Sequence, residues 1–467
     1  MKILLAQPKN TVFEKDVRRC TFPIGLTYLA SYLKQQNNAE VEIMDIATEG
    51  YDNLEKHGEF ITYGLEDEEV KKRIEKANPD IFGVSSIFAS QSENLKNLLN
   101  LAYDVNPNML NVVGGAYPTF SISEVFKENK SLDCVVLGEG EKPLSQLVDC
   151  IENNGCISKV GGLVYRGNDA IYVNKKKNLI KNLDELPFPA RDLVDMERYF
   201  KINKPHNPYP KGKRVSQVVT SRGCPYKCNF CSTRLFWQDY RTRSAENVID
   251  EIKFLKENYN IDEVQFPDDS FTSKKNRLIE ILEGIKDMDL NWCTPNGVVI
   301  RTLDKEVIEL MAESGCYQLS FAVESGSQRV LDELINKPLK LDIVKPLVKI
   351  AQENGIRVHS FNICGTPGET KEEMYKTYAF VQDCGFDSAS FFTATPFPGT
   401  KLYDECKDNN YLPKDFDHRK LRYKTGVIST PDWNASEVQE LVETFNQSFN
   451  QNDTRELKQK EQGEGRW

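Results

Sequence analysis

Apolar residues fall in short clusters along the first half of the chain, separated by longer stretches of mixed character. Lys2–Ala6 is a strand-length apolar run, and Gly25–Leu33 places Leu26, Leu29, Ala30 and Leu33 on one helical face. Further strand-like runs lie at Val41–Ile46, Asp80–Ser85, Leu110–Val113 and Cys134–Leu137, with helical patterns at Glu66–Ala77, Glu93–Tyr103 and Ser121–Asn129 between them. Short apolar strands alternating with helices predict a parallel sheet with crossover helices, an α/β doubly wound Rossmann-like domain. Beyond a proline-rich interruption the alternation resumes. Val215–Thr220, Glu263–Pro267, Trp292–Ile300, Cys316–Val323, Arg357–Cys364 and Ser388–Thr395 are six candidate strands, with helical segments such as Glu246–Glu257, Lys275–Lys286 and Asp304–Ser314 between most of them. Six strand–helix units in roughly 180 residues predict a partial (β/α)6 barrel, shorter than the eight-stranded form.

These patterns divide the chain into a sheet domain (1–150), a β appendage with a proline-rich linker (151–213), a partial barrel (214–400) and a partly helical tail (401–467). The appendage, 155–181, ends in Lys175, Lys176 and Lys177, read as a solvated turn. Within the tail Glu437–Phe449 is amphipathic, and Asn450–Trp467 is charged and expected to fray.

Composition narrows the class. With 60 Lys+Arg against 70 Asp+Glu the net charge is −10, which argues against a general nucleic-acid or anionic-membrane binder, since both rest on a basic field. No apolar run approaches the ~20 residues of a bilayer span. The start, MKILLAQPKN, soon turns polar, unlike a signal peptide, so a cytoplasmic location is expected. In that setting the 12 cysteines read as thiols or metal ligands rather than a disulfide framework.

Ligands of doubly wound sheets sit beyond the carboxyl ends of the strands. Three such turns are small and polar: Val84-Ser85-Ser86, Gly114-Gly115-Ala116-Tyr117-Pro118-Thr119, and Gly138-Glu139-Gly140-Glu141. Each alone is equally a tight turn or a helix cap; three around one sheet edge favour a ligand with polar appendages.

After the first strand of the second domain comes Ser221-Arg222-Gly223-Cys224-Pro225-Tyr226-Lys227-Cys228-Asn229-Phe230-Cys231. Three thiols within eight residues suit one metal centre. A structural zinc usually takes four protein ligands, and no second CxxC follows; His206 lies 18 residues upstream. A cubane iron–sulfur cluster held by three Cys keeps one iron open for a small chelating ligand.

The spacing C-x3-C-x2-C, with Phe230 before the last Cys, resembles the signature of the radical S-adenosylmethionine (SAM) enzymes. That resemblance implies a [4Fe-4S] cluster on Cys224, Cys228 and Cys231, SAM on its open iron, and reductive cleavage to a 5′-deoxyadenosyl radical. Later segments fit the same family strand by strand: Phe266-Pro267-Asp268-Asp269-Ser270-Phe271, Asn296-Gly297, Phe321–Ser327 with its Glu324-Ser325 pair, Asn362–Glu369, and Thr395–Thr400. They imply SAM contacts from Phe230, Asp269, Glu324, Ser325, Ile363, Gly365 and Thr395.

A doubly wound domain upstream of such a barrel resembles the cobalamin-binding class of that superfamily, through Phe22–Ala30, Gly114–Thr119, and Asp133 with Gly138–Glu141. The resemblance covers about residues 1–400 and implies cobalamin at the sheet edge, contacted by Gly25, Leu26, Ser85, Ser86, Gly114, Gly115, Tyr117, Thr119, Gly138, Glu139 and Gly140. One departure is plain. The Asp-x-His-x-x-Gly segment whose imidazole ligates cobalt in classical cobalamin domains is absent, and His57 stands in the different context HGEF. A domain that keeps the fold and has lost the cofactor remains the alternative at this point. The resemblance implies cobalamin-dependent methylation of an unactivated carbon, or a phosphinate, in a small-molecule substrate, served by a reductant protein such as flavodoxin or ferredoxin. Two alternatives share the architecture or the barrel: radical cyclisation, rearrangement or oxidation without methyl transfer, and tRNA methylthiolation. The second calls for another cysteine triad upstream and a C-terminal RNA-binding module, and Cys20, Cys134, Cys150 and Cys156 do not form such a triad.

Overall fold

The computed structural model describes residues 1–175, 179–417, 419, 421 and 425–450. Lys176 and Lys177 of the lysine cluster and the end of the tail, 451–467, lie outside the described residues. The chain separates into two compact units, Met1–Pro210 and Lys211 onward.

In the first unit the elements run β1 (Lys2–Gln7), β2 (Asn10–Phe13), α1 (Ile24–Asn37), β3 (Glu40–Asp45), α2 (Ile46–Glu49), β4 (Leu54–His57), β5 (Phe60–Tyr63), α3 (Asp67–Ala77), β6 (Ile81–Ser85), α4 (Ser92–Val105), β7 (Leu110–Gly114), α5 (Ala116–Phe120), α6 (Ile122–Glu128), β8 (Cys134–Val136), α7 (Glu141–Glu152), β9 (Leu163–Arg166), β10 (Ile171–Val173) and α8 (Met196–Ile202). The main sheet has the order β10-β9-β8-β7-β6-β1-β3. Its strands β3, β1, β6, β7 and β8 are parallel.

Strand alternation builds two cores, one on each face. Leu4, Ala6, Phe82, Val84 and Val113 pack with Val70, Ile74, Leu95, Leu99 and Phe126 of α3, α4 and α6. Ile3, Leu5, Ile81, Val112 and Val136 face the other way, onto Leu26, Ala30, Leu33, Leu144, Leu147 and Val148 of α1 and α7. Each fully buried Leu or Ile contributes about 1.5–3 kcal/mol, so these two layers hold the sheet. The helices end cleanly: Asn38, Asn78 and Asn203 take the left-handed conformation just past α1, α3 and α8.

Two features differ from the pattern-based expectation. Of the segment 155–181, read as a separate appendage, Leu163–Arg166 and Ile171–Val173 join the main sheet: β9 pairs antiparallel with β8 and β10 with β9. Leu163 and Val164 are completely buried by that pairing. A second, three-stranded antiparallel sheet, β2-β5-β4, was not anticipated. Its strands have four residues each and β4 is exposed along its length, so no apolar period marks them. His57 lies on β4, exposed, 3.5 Å from Glu55.

The second unit continues with β11 (Val215–Gln217), β12 (Ser221–Arg222), α9 (Thr233–Trp237), β13 (Arg241–Thr242), α10 (Ala245–Tyr259), β14 (Glu263–Gln265), α11 (Lys275–Ile285), β15 (Asn291–Val298), α12 (Lys305–Glu313), β16 (Cys316–Glu324), α13 (Val344–Glu353), β17 (Arg357–Cys364), α14 (Lys371–Cys384), β18 (Ser388–Thr393), α15 (Lys401–Asp408) and α16 (Ala435–Phe449). Six strands pair in sequential order, β11-β14-β15-β16-β17-β18, all parallel, as an open partial barrel. The amphipathic tail segment is α16, and its Asn446 and Asn450 bond the free edge of β18. Asn446 accepts from Phe391 N at 2.9 Å and donates to Phe391 O at 2.8 Å. Asn450 does the same at Ala389, at 3.2 and 2.8 Å. Among the described residues no helix is long and apolar enough to cross a membrane.

Candidate active site

Past β11, the short strands β12 and β13 pair antiparallel, Ser221 with Thr242 and Arg222 with Arg241. Residues 223–240 are therefore a loop closed at its base, and it carries all three signature cysteines. The base is fixed by Asp268, fully buried beyond the end of β14. Its carboxylate accepts from Thr220 N at 3.1 Å, Thr220 Oγ1 at 2.8 Å and Ser221 Oγ at 2.5 Å. Gly223 enters the loop at φ +84°, and a Cβ there would sit 2.7 Å from the Asp239 carbonyl oxygen. Halfway round, Asn229 pins the loop: its N–H donates to Ile335 O at 2.8 Å and its Nδ2 to Leu334 O at 2.7 Å. Both acceptors belong to a π-helix, Val330–Ile335, a geometry frequent at functional sites.

Cys224, Cys228 and Cys231 are partly buried. Burial pushes all three thiols up, Cys228 to about 12, and Cys231 raises both of the others. The thiols lie near enough to feel each other, yet among the described residues no three His, Cys, Asp or Glu are drawn together tightly enough to share one metal ion. Ligation deprotonates these thiols and releases protons.

Around the thiols stand two carboxylates and one ammonium. Asp269 accepts from Thr233 Oγ1 at 3.2 Å. Burial pushes it up to about 6, against that hydrogen bond and assisted by neighbouring Asp268. Glu324 ends β16 at φ +67°, where the pairing with β17 slips register, a strained conformation for a residue with a side chain. Lys337 Nζ donates to Glu324 Oε1 at 3.0 Å. Burial pulls the Lys337 ammonium down, but Glu324 and the Cys228 and Cys224 sulfurs outweigh it and hold it above its ordinary value. A cation at this position offsets the negative charge of a thiolate-ligated cluster.

The remaining SAM-contact expectations divide. Phe230 is half-buried between Cys228 and Cys231, and Ile363 is half-buried on β17. Gly365 donates its N–H to Glu369 at 2.8 Å, and Thr395 Oγ1 donates to Thr393 O at 3.1 Å. Ser325 is fully buried, 3.2 Å from Thr377 Oγ1 of α14, and accepts from Ser327 N. It holds the turn after β16 rather than presenting its hydroxyl to a ligand. Cys364 is wholly buried in the core.

In the first unit the strand order reverses between β1 and β6, the place where doubly wound sheets bind ligands. Ser85 ends β6 there. Ser86 N donates to Gly114 O at 2.8 Å and Tyr117 N to Ser86 O at 3.3 Å. Thr119 Oγ1 donates to Gly115 O at 2.7 Å and accepts from Gly138 N at 2.9 Å. These bonds tie the three polar turns into one continuous edge. Gly115 has φ +107°, and a Cβ there would collide with the Ser86 carbonyl. Two observations fit a ligand at this edge. Ser86 Oγ is buried without a hydrogen-bond partner, and Ile87 and Phe88 beside it are 57% and 52% exposed. The other expected contacts are placed as follows. Leu26 is buried in the core, Gly25 is exposed at the start of α1, and Gly140 precedes α7 where a Cβ would sit 2.9 Å from Leu29. Glu139 is buried.

Signals for Asn229, Lys337 and the Ile87–Phe88 pair were absent from the sequence pattern. Asn229 and Lys337 act through partners roughly a hundred and thirteen residues away respectively, and exposure of an apolar pair is visible only in the fold.

Comparison with known proteins agrees with this geometry. The model of the radical SAM superfamily matches residues 218–381, and that of the B12 binding domain matches residues 12–148. The chain is 38% identical to cytidylyl-2-hydroxyethylphosphonate methyltransferase of Streptomyces wedmorensis, over 96% of this chain and 90% of that protein. It is 27% identical to anaerobic magnesium-protoporphyrin IX monomethyl ester cyclase of Rubrivivax gelatinosus, over 95% of this chain and 76% of that protein. Among solved structures it shares its fold with the radical SAM methyltransferase TsrM of Kitasatospora setae with cobalamin and a [4Fe-4S] cluster bound. There the TM-score is 0.70 at 18% identity, covering 87% of this chain and 74% of that one. The cofactors are a [4Fe-4S] cluster, SAM and cobalamin, and the donor set of the thiol loop and the open polar edge of the first sheet fit them. The chain belongs to the B12-binding class of the radical SAM superfamily of enzymes.

Proposed function

We propose that this enzyme transfers a methyl group to an unactivated carbon, or a phosphinate, of a small polar biosynthetic intermediate, of the nucleotide-linked phosphonate kind named for the Streptomyces relative. The observation that carries this reading is the near full-length similarity to that methyltransferase, joined to the two sites described above. When bound, the cluster and SAM supply a deoxyadenosyl radical and cobalamin supplies the methyl group. Cys224, Cys228 and Cys231 hold the cluster, on a loop anchored by Asp268 and Asn229. Phe230, Asp269, Glu324, Ile363, Gly365 and Thr395 surround SAM, with Ser325 shaping the turn that carries Glu324. Lys337 holds the Glu324 carboxylate in place through the 3.0 Å ion pair. Ser85, Ser86, Gly114, Gly115, Tyr117, Thr119 and Gly138 form the edge that holds cobalamin, without an imidazole from this unit's β4. A small one-electron donor protein of the flavodoxin or ferredoxin class reduces the cluster, and the setting is cytoplasmic.

The test is anaerobic reconstitution with iron, sulfide and hydroxocobalamin, followed by assay for 5′-deoxyadenosine and product mass. Methyl transfer adds one carbon to the substrate. Formation of deoxyadenosine with a product of unchanged carbon count would favour cyclisation or oxidation, the chemistry named for the Rubrivivax relative.

A further inference from the structure

Cys228 is flanked by two residues that are both bonded to the end of the π-helix. Before it, the Lys227 carbonyl accepts from Asn336 Nδ2 at 3.1 Å. After it, Asn229 donates its N–H to Ile335 O at 2.8 Å and its Nδ2 to Leu334 O at 2.7 Å. The last carbonyls of a helix have no partner within the helix, and here the thiol loop supplies the donors. The helix is anchored in turn, with Val330, Leu331 and Ile335 buried. Asn336 takes the left-handed conformation at φ +58°, and Lys337 N donates to Leu331 O at 2.8 Å. Pro338 follows, and a residue before proline is steered away from helical backbone, so the chain leaves the helix at Lys337. The place of Lys337 is thereby tied to that of Cys228 through bonds on both sides of the cysteine.

The charge carried at this place is not explained by packing. The Lys337 side chain is 17% exposed and its Nζ lies 3.0 Å from Glu324. Taking an ammonium and a carboxylate out of water costs about as much as their attraction returns, so a packed apolar pair would brace the loop as well. Among the charged side chains that bear most on the three thiols, Asp269 and Glu324 are acids and Lys337 is the cation. Three thiolates with two carboxylates beside them oppose the addition of an electron, and net charge is one of the levers that set an iron–sulfur potential. An ammonium fixed on the Cys228 side counters that opposition.

We propose that Lys337, registered to Cys228 by the Asn229 and Asn336 hydrogen bonds, raises the reduction potential of the cluster, so that a weaker one-electron donor suffices to reduce it. This rests on the cluster ligation given under the proposed function and needs neither cobalamin nor methyl transfer. The experiment uses the full-length protein reconstituted with iron and sulfide, without SAM, and follows the reduced cluster by electron paramagnetic resonance through a redox titration. Lys337→Gln should lower the reduced-to-oxidised ratio at a fixed applied potential about tenfold or more, which for a one-electron couple is a potential about 59 mV more negative. Lys337→Arg keeps the charge and should stay within about threefold of the wild type, while Glu324→Gln removes a neighbouring acid and should raise the ratio several-fold. A residue that only braced the loop would change cluster content and leave the potential alone. Unmoved ratios in Lys337→Gln and Glu324→Gln overturn the inference, as does an equal drop in Lys337→Arg and Lys337→Gln, which would trace to packing. Should Lys337→Gln take up no cluster, Glu324→Gln decides: a raised ratio supports the inference and an unmoved one overturns it. If neither variant takes up a cluster, the pair holds the loop and the inference falls. A wild type that incorporates no iron and sulfide removes the cluster reading and this inference with it, whereas a normal cluster with unmoved potentials leaves that reading standing.

Discussion

Glu369, on the turn from β17 into α14, and Glu373, four residues on in the first turn of that helix, are driven in opposite directions. Glu369 is fully buried, accepts from Gly365 N and Thr366 N at 2.8 and 3.0 Å, and is pushed up to about 8 by burial. Glu373 is held down to about 2, first by its hydrogen bond from Arg329 at 2.9 Å. Their linkage to stability has opposite sign. Glu373 contributes stability above the ordinary carboxylate range that is lost as pH falls toward 2. Glu369, protonated in the fold and ionised when unfolded, contributes stability below pH 4.5 that is lost as pH rises through 8. Glu369→Gln should therefore flatten the decline in melting temperature between pH 5 and 8 relative to the wild type. Glu369→Ala should lower stability by about 1–3 kcal/mol throughout, because two buried N–H groups lose their acceptor. Parallel pH profiles for wild type and Glu369→Gln would exclude this account. At this scale the sequence was most legible where chemistry is local: three cysteines within eight residues name their own centre. Lys337 was illegible, since its partner Glu324 meets it only after the chain has wound through the π-helix.

An open partial barrel leaves the backbone of its last strand unpaired, and an exposed edge invites pairing with another chain. Here α16 supplies side chains in place of a seventh strand, with Asn446 and Asn450 one helical turn apart meeting Phe391 and Ala389. Asn446→Ala should lower unfolding stability by about 1–3 kcal/mol and raise hydrogen exchange along β18. An equal loss from Asn446→Asp would show that the donor to Phe391 O matters; a change below about 0.5 kcal/mol in either would refute edge protection by α16. The amphipathic period of this helix was readable, and its task was not, because Asn spaced by four residues also suits a solvated face. The same limit explains the missed sheet β2-β5-β4 and hairpin β12-β13, whose short strands carry too few apolar positions for a period. The long strands of both units were legible because each buries a continuous core.

At the scale of the whole molecule, the thiol loop and the polar sheet edge belong to different compact units, each with its own buried core. Loss of a ligand in one should therefore leave the other site folded. Cys228→Ala is expected to abolish the brown cluster absorbance and SAM cleavage while cobalamin is retained at the wild-type stoichiometry. The reciprocal variant is Gly115→Ala. Its Cβ would strike the Ser86 carbonyl at a backbone angle that suits glycine, so the edge must shift, and cobalamin retention should fall while the cluster is incorporated normally. The pair of variants separates two ways in which activity can vanish: loss of methyl transfer with deoxyadenosine still formed in Gly115→Ala, and loss of both in Cys228→Ala. If Cys228→Ala also emptied the cobalamin site, or Gly115→Ala also lost its cluster, the two sites would have to be treated as one cooperative assembly rather than as two.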